Sequence, residues 1–119
     1  MDRVEGGADL AAVTNGVVGL FSKYYGRGPT KAKTHLLGDD LLLTVLEDTM
    51  TVVERRLVEL GQHTLVRQVR LTFQETMAPE FRAVVEAAVG RRVVAYHSQL
   101  SFDPDLGFEF FILEPTQPR

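Results

Sequence analysis

The sequence contains no cysteine, and this absence excludes several kinds of chemistry. The 119-residue chain has no disulfide framework, no thiolate nucleophile and no thiolate metal site. No apolar run approaches the roughly 20 residues that a membrane-spanning helix needs. Residues 1–7 are polar and acidic, unlike a secretory signal or a basic transit peptide. We therefore expect a cytoplasmic protein that does not insert into a membrane directly and reaches one only through a partner.

Negative charge is missing from a long stretch near the start of the chain. No acidic residue occurs between Asp9 and Asp39, although the whole chain has a net charge of −3. The basic residues of this interval are Lys23, Arg27, Lys31 and Lys33, with His35 beside them. The net charge makes nucleic-acid binding unlikely, but the basic interval leaves it as a remote alternative. A solvated basic surface and an anion-facing surface are both compatible with this pattern.

Motifs for catalysis and for metal binding are missing as well. His35, His63 and His97 stand alone, without the spacing of a metal-binding motif. No serine lies in a nucleophile motif, and the paired acids Asp39-Asp40 and Glu47-Asp48 suit turns and helix starts. We therefore predict a non-enzymatic protein with no catalytic residue, no metal site and no cofactor.

Hydrophobic spacing predicts an α+β fold. Apolar residues three and four apart predict a first helix from Ala8 or Asp9 to Tyr25, which Asp9 caps and Gly26 ends. A hairpin over residues 30–46 follows, with a turn at residues 38–40. Pro79 begins a short helix that Gly90 ends, and a second hairpin runs from Val93 to Leu113.

The element order is α-β-β-α-α-β-β, which predicts one four-stranded antiparallel sheet with the helices packed mainly on one face. We expect residues 1–119 to form a single domain with a core over about residues 8–114. The polar amino terminus and the tail after residue 114 are expected to fray.

The middle of the chain predicts helix from Thr51 onward. Thr51 and Glu54 have the spacing of a capping box. An apolar stripe follows at intervals of four: Leu65, Val69, Phe73 and Met77. Gly61 interrupts the pattern, and we favour one long helix with a weak point there over two separate helices. Arg70 is one residue from the stripe, and we expect it on a solvated helix face. The alternatives are that Arg70 pairs with Glu54 or Glu75, or that it reaches across a subunit interface.

The segment from Gly26 to Pro29 joins the first helix to the first strand. Gly26 and Gly28 free the backbone, Pro29 forces an extended exit, and Arg27 offers a planar five-donor fork for carboxylate or phosphate. A structural role for Arg27 is the favoured interpretation, because the carbonyl end of a helix disfavours anions. The alternative is an anion-binding site formed by Arg27 with Lys31 and Lys33.

These elements together resemble the MpsC-like family. The resemblance depends on Tyr25-Gly26-Arg27-Gly28-Pro29, on Thr51-Val52-Val53-Glu54, on Arg70, and on Gly90-Arg91-Arg92 before the last hairpin. It covers roughly residues 8–114. Met50 stands where the family usually has Leu, a swap that conserves volume. The resemblance implies association with a sodium-translocating, membrane-potential-generating system connected with bicarbonate supply, and it brings no catalytic residue.

The first functional hypothesis is therefore a soluble accessory or regulatory module, homodimeric, that serves the membrane transporter subunits of such a system. The apolar last hairpin, with Phe108, Phe110 and Phe111, favours self-association. The second hypothesis is a small-molecule anion sensor that uses Arg27, Lys31 and Lys33.

Overall fold

A computed structural model describes residues 9–115, and its fold is α+β. Four helices accompany a four-stranded antiparallel sheet, which confirms the predicted fold class. In chain order the elements are α1 (Leu10–Tyr25), β1 (Lys31–Leu37), β2 (Leu41–Glu47), α2 (Val52–Glu59), α3 (His63–Thr76), α4 (Ala78–Val89), β3 (Val93–Ser101) and β4 (Leu106–Leu113). The predicted fraying of the two ends lies outside the described residues. Between residues 9 and 115, no helix has the length and hydropathy to cross a membrane.

Local signals set the ends of α1 as the sequence predicted. The Asp9 carboxylate accepts a hydrogen bond from the Ala12 N–H at 3.0 Å, which satisfies one free donor of the first turn. At the other end Gly26 adopts φ 76°, and its N–H donates to the Ser22 carbonyl. Glycine takes this left-handed conformation without penalty, so α1 stops there and the chain turns toward β1.

The sheet has the strand order β1-β2-β4-β3, and all neighbours are antiparallel. The two central strands are β2 and β4, which agrees with the prediction that the apolar segment beginning at Leu41 forms a central strand. Leu42 and Leu46 of β2 and Phe111 of β4 face the helices and are fully buried.

Helices α1 and α4 pack together to form most of the core on one face of the sheet. Phe21 and Phe81 meet edge to face, with ring centroids 5.9 Å apart. A Cβ added to Gly16 would lie 3.0 Å from the Cβ of Val84, so this glycine allows the two helices to approach closely. The helices therefore cover one face of the sheet, as predicted.

The segment around Gly61 differs from the favoured prediction. The chain forms two helices, α2 and α3, rather than one long helix. Gly61 adopts φ 80°, and the N–H groups of Leu60, Gly61 and Gln62 turn back to carbonyls of α2. A left-handed glycine ends a helix even where no second helix-breaking residue follows.

The buried face of α3 also differs from the prediction. Leu65 and Val69 of the predicted stripe are 47% and 57% exposed. The buried residues are Val66, Arg70 and Gln74, with Arg70 only 5% exposed. Polar side chains occupy this face because hydrogen-bonding partners meet them inside the protein, so their burial is compensated.

Candidate functional site

Arg27 connects the segment between α1 and β1 to the loop between β2 and α2. Its Nη1 donates to the carbonyl oxygens of Asp48 and Met50, each at 2.8 Å. Its Nη2 lies 2.8 Å from a carboxylate oxygen of Asp48. The neighbouring Gly28 packs closely on α1, since a Cβ there would lie 2.7 Å from the Ser22 hydroxyl. The guanidinium is thus occupied by one carboxylate and two carbonyls.

Asp105, in the turn between β3 and β4, holds the other side of the same loop. Its carboxylate accepts hydrogen bonds from the N–H groups of Thr49 and Met50 at 3.1 and 3.0 Å. Arg55 of α2 contacts the carboxylates of both Asp48 and Asp105. We call the group of Arg27, Asp48, Arg55 and Asp105 the loop junction. Its two positive and two negative side chains balance, which favours a structural role.

Arg70 and Glu54 form a nearly buried ion pair beside the loop junction. The guanidinium binds both carboxylate oxygens of Glu54 at 2.7 and 2.8 Å and donates to the Thr49 carbonyl at 2.7 Å. Its face lies over the Tyr25 ring, 4.1 Å from the centroid. Burial alone would raise the pKa of Glu54, but hydrogen bonds from Arg70 and Thr51 outweigh it and lower the pKa below its usual value.

Glu54 serves two structures at once. One of its carboxylate oxygens accepts from the Thr51 N–H at 2.8 Å, while the Thr51 hydroxyl accepts from the Glu54 N–H at 3.1 Å. This is the predicted capping box. The same carboxylate neutralises Arg70, so the start of α2 and the buried face of α3 depend on each other.

Glu109 is a buried carboxyl on β4 with no ion-pair partner among the described residues. It is 1% exposed, and the hydroxyl groups of Ser98 and Tyr96 on β3 bind its two oxygens. Burial raises the pKa of Glu109 to about 7, and the hydrogen bonds from Ser98 and Tyr96 oppose that rise only in part. The carboxyl therefore changes its protonation state near neutral pH.

The hydrogen bonds around Tyr96 differ between the two protonation states of Glu109. The Tyr96 oxygen lies within hydrogen-bonding distance of both Glu109 and the Gln74 carbonyl oxygen, at 3.0 Å from the latter. A tyrosine hydroxyl has one proton, so it cannot donate to both acceptors. If Glu109 is protonated, it donates to Tyr96 and Tyr96 donates to Gln74. If Glu109 is ionised, Tyr96 donates to the carboxylate, and the buried Gln74 oxygen loses this donor.

A cleft of about 70 Å³ opens between α3 and the β3–β4 hairpin, above this group. Arg70 and Gln74 of α3 line the cleft, together with Ser98 of β3 and Glu109 of β4. The volume is sufficient for more than one water molecule. The cleft thus supplies a route by which a proton can reach Glu109.

A comparison with known protein families places the chain in one of them. A family model described as Na+-translocating membrane potential-generating system (MpsC) matches residues 10–115. The chain belongs to the MpsC family. The search of curated proteins and the search of solved structures each found no match to the chain.

Most residues of the MpsC resemblance lie in the connections described above. Gly26, Gly28 and Pro29 shape the segment that carries Arg27, while Thr51, Glu54 and Arg70 join α2 to α3. Gly90 adopts φ 70° and ends α4. The prediction that Arg70 lies on a solvated face is wrong. Arg70 is buried, and it pairs with Glu54, one of the two partners named as alternatives.

The proposed anion-binding residues of this MpsC member lie on adjoining elements. Lys31 and Lys33 are exposed on β1, at alternate positions and therefore on one face of the strand. Arg27 does not face an open anion site with them, because its guanidinium donates hydrogen bonds to Asp48 and Met50. An anion at this place would compete with Asp48 for the guanidinium.

Sequence reasoning missed Glu109, Tyr96, Asp48 and Asp105 as site residues. One signal pointed to Glu109: it is the only charged residue in the segment from Leu106 to Leu113. An acid in such a strand faces either solvent or an internal partner, and the alternation alone does not decide which face is buried.

Proposed function

We propose that this MpsC family member is a non-enzymatic accessory module that works in the cytoplasm as a homodimer. In this proposal it binds transporter subunits of a sodium and bicarbonate transport system and regulates them. The observation that carries the proposal is the family match, which extends over residues 10–115 and whose description concerns a sodium-translocating system.

Exposed apolar residues on the α2–α3 segment support a role in protein binding. Val52 and Val53 begin α2 and are 83% and 69% exposed, and Leu60 at its end is 59% exposed. Such residues remain accessible to a partner while the capping box and the Arg70–Glu54 pair fix the helix beneath them. We propose this segment as the contact with the transporter subunit.

Affinity purification from detergent-solubilised membranes of the native host tests the proposal. The tagged wild-type chain is expected to recover an integral membrane transport subunit. Val53→Glu is expected to lose it, because the charge would be desolvated in the contact. Val94→Glu is a control with the same substitution at an exposed valine, since Val94 is 49% exposed but lies on β3. Recovery of no transport subunit by the wild type would contradict the proposal.

Anion sensing by Arg27, Lys31 and Lys33 stays a prediction. A thermal-shift screen with bicarbonate, phosphate, nucleotides and carboxylates tests it directly. If an anion raises the melting temperature of the wild type and Arg27→Ala leaves the shift unchanged, Arg27 has no part in binding. Nucleic-acid binding by the basic interval is tested by a gel shift, whose dependence on salt must be steep if phosphate contacts are responsible.

A further inference from the structure

The face of the sheet opposite the helices has an apolar centre. Six large side chains of β2 and β4 alternate onto this face and are only half-buried: Leu41, Leu43, Val45, Phe108, Phe110 and Ile112. They pair across the two strands, with Leu43 opposite Phe110 and Val45 opposite Phe108. We call this surface the open face. Phe111 is not part of it, contrary to the prediction that grouped it with Phe108 and Phe110, because it is fully buried under the helices.

Polar residues border the open face on both sides. Lys33 and His35 of β1 lie next to β2, opposite Val45 and Leu43. Gln99 and His97 of β3 lie next to β4, opposite Phe108 and Phe110. An apolar centre between polar edges is the usual anatomy of a protein–protein interface.

The dimensions of the open face suit a dimer. Four strands about 4.8 Å apart and seven residues long at about 3.3 Å per residue outline roughly 400 Å². The accessible surface of the side chains exceeds this flat outline, so two such faces bury on the order of 1,000 Å² in total when packed. An area of about 1,000 Å² is the lower limit of what specific protein–protein interfaces bury.

We propose that a second copy of this chain covers the open face, so that the two sheets pack face to face about a twofold axis parallel to the strands. This specifies the surface of the homodimer in the proposed function. Such an axis places β1 of one protomer over β3 of its partner and β2 over the partner's β4. Apolar centre then meets apolar centre, as in a β-sandwich.

The charges at the edges select this axis. It sets Lys31 and Lys33 over the edge that carries Gln99 and Ser101, which have no charge and can accept hydrogen bonds. A twofold axis perpendicular to the strands in the interface would place β1 over its own copy. Strand direction is reversed by that axis, so the lysines of both protomers would gather along one edge of the interface, where like charges are unfavourable.

Light scattering after size exclusion tests the dimer without reference to any transporter. The wild type is expected to elute with twice the 13.3 kDa mass of one chain. Phe110→Glu is expected to elute as a monomer with an unchanged circular dichroism spectrum, because it places a charge at the centre of the interface. Val52→Glu adds the same charge on α2 and is expected to remain a dimer. A monomeric wild type, or a folded dimeric Phe110→Glu, would overturn the proposal.

Cross-linking tests the axis and leaves the apolar residues unchanged. Since the chain has no cysteine, Lys33→Cys and Gln99→Cys each introduce a single thiol. A bismaleimide of about 10 Å, the distance between packed sheets, is expected to link the two variants when they are mixed and allowed to exchange. Lys33→Cys alone is expected to give little product. Efficient linking of Lys33→Cys to itself, with no gain on mixing, would overturn the axis. The test stays decisive if Phe110→Glu does not fold, because neither thiol replaces an apolar residue.

Discussion

The substitution Glu109→Gln tests whether the buried carboxyl makes stability depend on pH. Burial raises the pKa of Glu109 from 4.5 to about 7 in the folded protein, whereas the unfolded chain exposes it to water. Folding therefore favours the protonated form. The contribution to stability is fully present below the unfolded pKa and is lost as the pH rises through the folded pKa.

The size of the effect follows from the shift. At 1.36 kcal/mol per unit of pKa, a change from 4.5 to about 7 corresponds to about 3 kcal/mol of unfolding free energy between pH 4.5 and neutrality. Glutamine keeps the shape and the hydrogen bonds of the protonated acid: its amide donates to Tyr96, and its oxygen accepts from Ser98. The variant is therefore expected to keep above pH 7 the stability that the wild type loses.

Urea unfolding followed by circular dichroism between pH 5 and 8 measures this difference. The wild type is expected to lose stability with rising pH relative to Glu109→Gln, so the difference between the two grows to about 3 kcal/mol by pH 8. Glu75→Gln, at an exposed position on α3, is the control that keeps the wild-type slope. Parallel pH profiles for Glu109→Gln and the wild type would refute the reasoning.

Three further substitutions test the connections between elements by urea unfolding. Arg70→Ala leaves the Glu54 carboxylate without its partner at a site where the two side chains are only 6% and 13% exposed. It is expected to lower the free energy of unfolding by about 3–5 kcal/mol, and Arg70→Lys is expected to recover part of that loss. Arg27→Ala removes the hydrogen bonds to Asp48 and Met50 and is expected to cost about 1–2 kcal/mol, less than Arg70→Ala because its side chain is 34% exposed. Gly28→Ala brings a Cβ to 2.7 Å from the Ser22 hydroxyl and is expected to cost at most about 1 kcal/mol, since the hydroxyl of this exposed serine can rotate. Ser22→Ala is expected to remove that cost in the double variant, and an equal cost in both backgrounds would exclude this clash.

Local chemistry explains which parts of the fold were predictable from sequence. Some signals act through neighbours a few residues away: the caps at Asp9 and Thr51, the stop at Gly26 and the mainly apolar strand that begins at Leu41. Their signals are therefore visible in the sequence itself. The ends of α1 and the central position of β2 followed from them.

The buried face of α3 was not predictable from local pattern. Its spacing favoured Leu65 and Val69, yet Arg70 and Gln74 face the core because Glu54, Tyr25 and Tyr96 meet them there. These partners lie 16 or more residues away in sequence. Periodicity measures apolar character and contains no information about such partners. The site around Glu109 escaped prediction for the same reason.

The polar residues of the family signature that are bound within the protein differ from its exposed valines, Val52 and Val53, which belong to the proposed contact surface. Arg27 holds the loop that follows β2, Thr49 in that loop accepts from Arg70, and Arg70 holds Glu54, so one chain of hydrogen bonds joins α1, α2 and α3. Each of these residues makes hydrogen bonds to other residues of the same protomer. These polar residues of the signature thus account for how the helices are fixed to one another. The exposed valines of α2 and the open face of the sheet take no part in these hydrogen bonds. Substitutions at these two surfaces are therefore expected to change partner binding without loss of the fold.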